Sequence, residues 1–69
     1  MAKFQGEVKV WKADKGYGFI IGDDDVEDFF HIRELANDYE PVAGDRVEFD
    51  RGVHKDGRPR AVRVRRIDD

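Results

Sequence analysis

The chain has 69 residues, with 13 basic and 16 acidic side chains and a net charge of −3. This length sets a single domain over residues 1–69. The absence of cysteine, serine and threonine excludes disulfides, thiolate zinc sites and nucleophilic catalysis by any of those three side chains. No apolar run is long enough to cross a bilayer, so the expectation is a cytoplasmic monomer without membrane contact. The charge is unevenly spread. Residues 1–20 hold four lysines against two acids, residues 21–50 two arginines against eleven acids, and residues 51–69 seven basic side chains against three acids.

Turn-forming residues punctuate the chain at short intervals, and the segments between them alternate with a period near two. In FQGEVKVW (4–11), alternation puts Val8 and Val10 on one face and Lys9 and Trp11 on the other. YGFII (17–21) sets Tyr17, Phe19 and Ile21 opposite Gly18 and Ile20. DFFHI (28–32) separates Phe29 and His31 from Phe30 and Ile32. IRELA (32–36) is the one helical stretch, about a turn long. RVEFD (46–50) and RAVRVRRI (60–67) follow as strands, with Val47, Phe49, Val62 and Val64 facing one way. Short strands without a long amphipathic helix predict an all-β barrel, whose closure hides its edges.

Val8, Val10, Ile20, Phe30, Val47, Phe49, Val62 and Val64 already supply a core for a chain of this size. Tyr17, Phe19, Phe29 and His31 are then expected to point outward as a platform, with Gly16 and Gly18 keeping the surface around Tyr17 open. Exposed rings in a patch mark a binding site, and unpaired bases are the natural cargo because each has a π-face. Lys9, Lys12 and Lys15 would neutralise phosphates beside it.

These segments resemble the bacterial-type cold-shock proteins over nearly the whole chain. GEVKVWKADKGYGFI (6–20) is similar to the family's opening block, and KGYGFI to its first ribonucleoprotein motif. DFFHI resembles the second motif, AGDRVEFD (43–50) the fourth strand and GRPRAVRV (57–64) the last. The resemblance implies a five-stranded antiparallel OB-fold barrel with a short helical turn near residues 32–36. It also implies binding of single-stranded RNA and DNA, and RNA chaperone activity. Carried over by position, Lys9, Lys15, Tyr17, Phe19, Phe29 and His31 match contact residues, and Tyr39 lies near the place of a further stacking ring. The family has tryptophan where this chain has Val10. Trp11 shares a face with Lys9 by alternation, so stacking at the rim is expected from Trp11. Ile32 and Lys12 also depart from the family pattern, Lys12 by adding a positive charge.

Other readings are weaker. A barrel that recognises proline-rich peptides would not need the lysines around the rings. RNA-recognition motif domains share the first motif but require two long helices, for which there is no room. DDDVED (23–28) lacks the glycine and final glutamate of a calcium loop and is expected to be a solvated acidic turn. A metal at His31 would need partners, and the only other histidine is His54. No cofactor and no enzymatic activity are expected. Among the C-terminal arginines, Arg60 is the one expected to touch the nucleic-acid backbone, because it begins the last strand.

Overall fold

The computed structural model describes residues 4–36, 38–53 and 55–67. Its strands are β1 (Phe4–Lys12), β2 (Tyr17–Gly22), β3 (Glu27–His31), β4 (Arg46–Val53) and β5 (Pro59–Arg66). One 3-10 turn, Ile32–Glu34, follows β3 directly. The strands close into a barrel in the order β1-β2-β3-β5-β4. An odd number of strands cannot alternate direction all the way round a ring. The barrel is accordingly antiparallel at every seam except one, where β3 and β5 run parallel and meet at Phe29 and Arg60.

Val8, Ile20, Phe30, Val47, Phe49, Ala61 and Val64 form the buried core. Alternation identifies all of these except Ala61, and it fails at two β-bulges. On β1 the register steps from Val8 opposite Ile20 to Val10 opposite Phe19, so Lys9 is the extra residue between them. A bulge adds one residue to a strand and turns the later side chains to the other face. Val10 therefore turns outward beside Phe19, and Trp11 turns inward opposite Gly18.

On β5, Arg65 lies opposite Glu48 and Val62 opposite Asp50, which leaves one extra residue between them. Arg63 takes a left-handed conformation there, with φ of 54°. Ala61 and Val64, three apart, consequently both point into the core, while Val62 is only half-buried. The expected core thus loses Val10 and Val62 and gains Ala61.

Gly18 has a different purpose from the one expected of it. A Cβ at this position would collide with the Val10 carbonyl oxygen and lie 3.0 Å from the Phe30 ring. The missing side chain is on the inner surface, where it makes room for the Phe30 ring, on which the Trp11 indole stacks at 5.4 Å and 12°. Gly16, with φ of 76°, ends the turn between β1 and β2, where its amide donates to the Lys12 carbonyl at 2.8 Å.

Candidate nucleic-acid interface

β2 and β3 hold their register without a bulge, so the period-two pattern translates directly into a face. Tyr17 pairs with His31, Gly18 with Phe30 and Phe19 with Phe29. Phe30 and Ile20 are fully buried on the inner side, which places Tyr17, Phe19, Phe29 and His31 together on the outer side, each half-buried. The rings touch without covering one another. Tyr17 lies 5.6 Å from Phe29, tilted by 30°, and Phe19 meets Tyr17 and Phe29 edge-on at 6.1 and 5.9 Å. Edge-on contacts leave faces open to a further flat group.

The lysines lie on one side of this face, along β1 and the turn that joins it to β2. Lys12 pairs in register with Tyr17, and Lys15 lies exposed in the adjoining turn. Lys9, in the bulge, reaches the Glu27 carboxylate at 3.5 Å, with both side chains largely in solvent. Val10, which alternation places inside, is half-buried at the margin of the platform. A hollow of about 480 Å³ adjoins Phe19 and Phe29, with Glu27, Asp56, Arg58 and Pro59 completing its walls. The end of the β4–β5 hairpin therefore belongs to the rim, a contribution no local pattern in the chain announces.

Two aromatic residues expected at the site stand apart from the platform. Trp11 does not stack at the rim: the β1 bulge turns it inward onto Phe30, and its buried indole N–H has no acceptor among the described residues. Tyr39 packs against the core, and its hydroxyl donates to Asp45 Oδ2 at 2.6 Å. Burial and that carboxylate push the Tyr39 phenol well above its ordinary value. Tyr39 and Trp11 share a separate hollow with Ala13, Ile32, Leu35, Asp38 and Glu40. Arg60 lies beside Phe29 as expected of a rim residue, though its guanidinium is held by Glu34 at 3.0 Å. His54 lies outside the described residues, among which no cluster suited to a metal ion occurs.

The acidic segment 23–28 is the exposed turn expected at Asp23, Asp24, Asp25 and Glu27, but not at Asp28. Asp28 follows the inner face of β3 with Phe30 and is completely buried. Arg51 from β4 donates through Nε to Asp28 at 2.9 Å and through Nη1 to Asp24 at 2.6 Å, and its guanidinium lies 4.3 Å over the Phe4 ring. Arg46 holds Asp23 at 2.8 Å. The hydrogen bond from Arg51 lowers the Asp24 pKa and the one from Arg46 lowers that of Asp23, whereas burial pushes Asp28 up against the pull of Arg51. Gly22 packs closely under this pair: a Cβ there would stand 2.6 Å from Asp24 Oδ1 and 3.1 Å from the Arg51 guanidinium, so both side chains would have to shift to admit one.

Comparison with known proteins agrees with this geometry. The family model described as 'Cold-shock' DNA-binding domain matches residues 4–67. Among the solved structures, the chain is similar to "drosophila Unr CSD456" at 27% identity, with a TM-score of 0.76, covering 94% of this chain and 26% of that one. The chain therefore spans about a quarter of the length of that structural relative. No curated protein matches it.

Proposed function

The chain belongs to the 'Cold-shock' DNA-binding domain family, a family that binds single-stranded nucleic acid, and on that premise we propose a specific mode of action. Unpaired bases stack on Tyr17, Phe19, Phe29 and His31, and Lys9, Lys12 and Lys15 neutralise the phosphates between them. The observation that carries this reading is the cluster of three rings on the bulge-free β2–β3 face, with centroids 5.6 to 6.1 Å apart. Stacking of this kind contributes roughly 1–3 kcal/mol per base and accepts any base.

Such a surface captures RNA only where bases are already exposed. Capture withdraws the unpaired form from the equilibrium, so weak hairpins open without ATP. The protein acts in this account as a monomeric RNA chaperone of the cytoplasm, a binder without catalysis. The lack of any serine, threonine or cysteine nucleophile supports the last point.

The test is binding of a dye-labelled short oligopyrimidine and of its duplex, followed by anisotropy. A labelled strand is preferable to intrinsic fluorescence, because the only tryptophan stacks on Phe30 inside the barrel. Binding of the single strand but not the duplex, together with a larger open fraction of a weak RNA hairpin at saturating protein, is the expected result. Equal affinity for strand and duplex would refute base stacking, and single-strand binding without hairpin opening would refute the chaperone role.

A further inference from the structure

A second hollow beside Phe29 differs in chemistry from the first. It measures about 370 Å³ and is lined by Phe29, His31, Arg33, Glu34 and Arg60. Two local features bring these residues together. The parallel seam sets Arg60 against Phe29, and the 3-10 turn that begins straight after His31 presents Arg33 and Glu34 to the same place.

The polar groups here are arranged for an anion. His31 Nδ1 accepts the backbone N–H of Arg33 at 3.1 Å. In the neutral ring the hydrogen then resides on Nε2, which becomes the imidazole's donor. Glu34 is tethered on both sides, accepting from Arg60 Nη2 at 3.0 Å and from the Arg63 amide at 3.4 Å. It thereby holds Arg60 in place through one of the five N–H donors of a guanidinium and leaves four for a ligand. Arg33 is exposed, and its guanidinium has no ion-pair or hydrogen-bond partner among the described residues. Arg46, Arg51, Arg58, Arg63 and Arg65 are each paired with a carboxylate. Two guanidiniums against one carboxylate leave this hollow cationic, on a protein whose net charge is −3.

We propose that this hollow receives a phosphate group of the bound strand, with Arg33 and Arg60 as its cationic partners. The proposal rests on base stacking at Phe29. A base on that ring carries its phosphate one sugar away, and Phe29 itself forms one wall of the hollow. Arginine suits the task because its fork of donors matches the oxygens of a phosphate. Glu34 is a positioning residue that aims Arg60.

The salt dependence of oligothymidylate binding tests this. For single strands the slope of log K against log salt changes by about 0.7 for each phosphate that is no longer neutralised. Arg33→Ala and Arg60→Ala are each expected to reduce the slope by about that amount. Arg33→Lys keeps the charge and is expected to keep the slope, and Phe29→Ala is expected to weaken binding with the slope unchanged. Replacing one linkage at a time by an uncharged methylphosphonate should reveal one position that weakens the unsubstituted protein but not Arg33→Ala. If the phosphate is terminal, a 5′-phosphorylated strand instead gains affinity over its 5′-hydroxyl form, and Arg33→Ala abolishes that gain. Unchanged slopes in both alanine variants, with the unsubstituted protein still binding, would overturn the phosphate site alone. Failure of the unsubstituted protein to bind any single strand would overturn the stacking on which it rests.

Discussion

The two ends of the β2–β3 hairpin present their functional groups in opposite ways. At one end, Tyr17, Phe19, Phe29 and His31 face outward, and the edge-on ring contacts leave faces open. At the other, Asp23, Asp24 and Asp28 are engaged by Arg46 and Arg51 from β4, and Asp28 lies completely buried. The densest run of charge in the chain is thus occupied within the fold. Charge density along a sequence does not locate a binding site. What matters is which groups the fold leaves without a partner.

This contrast can be broken from either end. The largest expected effect is on the closed corner. Arg51→Ala leaves the buried Asp28 carboxylate without its counter-charge and should destabilise the barrel by about 3–5 kcal/mol, measured by urea denaturation. Molecules that remain folded should bind single strands as before, because no platform residue is touched. A loss below about 1 kcal/mol, the range of exposed pairs, would mean that Asp28 is not truly enclosed.

The glycine between the two rings of β2 comes next. Gly18→Ala forces a methyl group against the Val10 carbonyl and the Phe30 ring and should cost about 1–3 kcal/mol through overpacking. If Gly18 merely kept the outer surface open, as the sequence suggests, stability would hold and only binding would fall. Thermal unfolding and strand affinity of the same variant separate the two.

The smallest effect is one of pH. The lowered Asp24 pKa means that its contribution is complete above the ordinary carboxylate value, about 3.9. That contribution is lost as pH falls through the lower folded value. Asp28 has the opposite sign: its raised pKa makes the folded form the better proton acceptor, so its protonation favours folding as the solution is acidified. Asp24→Asn should therefore flatten the acid decline in the urea midpoint between about pH 5 and pH 2. An unchanged decline would assign the acid sensitivity to other carboxylates.

Much of this is legible in the chain because β2 and β3 alternate without interruption. From Phe19 and Phe29 on one parity and Ile20 and Phe30 on the other, the platform and the core follow directly. The reading fails where a bulge inserts a residue. At Lys9 and Val10 it reverses the faces of Val10 and Trp11, and at Arg63 it exchanges Val62 for Ala61 in the core. Bulges depend on the pairing of two strands, so alternation within one strand carries no trace of them. Arg63 and Lys9 look like ordinary outward residues in sequence. Distance in the chain hides the rest. Arg51 is 27 residues from Asp24 and 23 from Asp28, and Arg60 is 26 from Glu34. These pairs exist only once the strands have closed into the barrel. Arg33 is visible in sequence only as part of a helical turn, whereas its unpaired guanidinium is a property of the assembled surface.

The division of labour between outward rings that bind and an inward ring that holds the barrel together can be tested in two variants. Single-strand affinity of Phe29→Ala and Trp11→Phe, both checked for folding by thermal melts, probes it most directly. Phe29→Ala is expected to weaken binding by about 1–3 kcal/mol, while Trp11→Phe should bind as the unsubstituted protein does. Loss of binding in folded Trp11→Phe, with Phe29→Ala unaffected, would reverse the assignment.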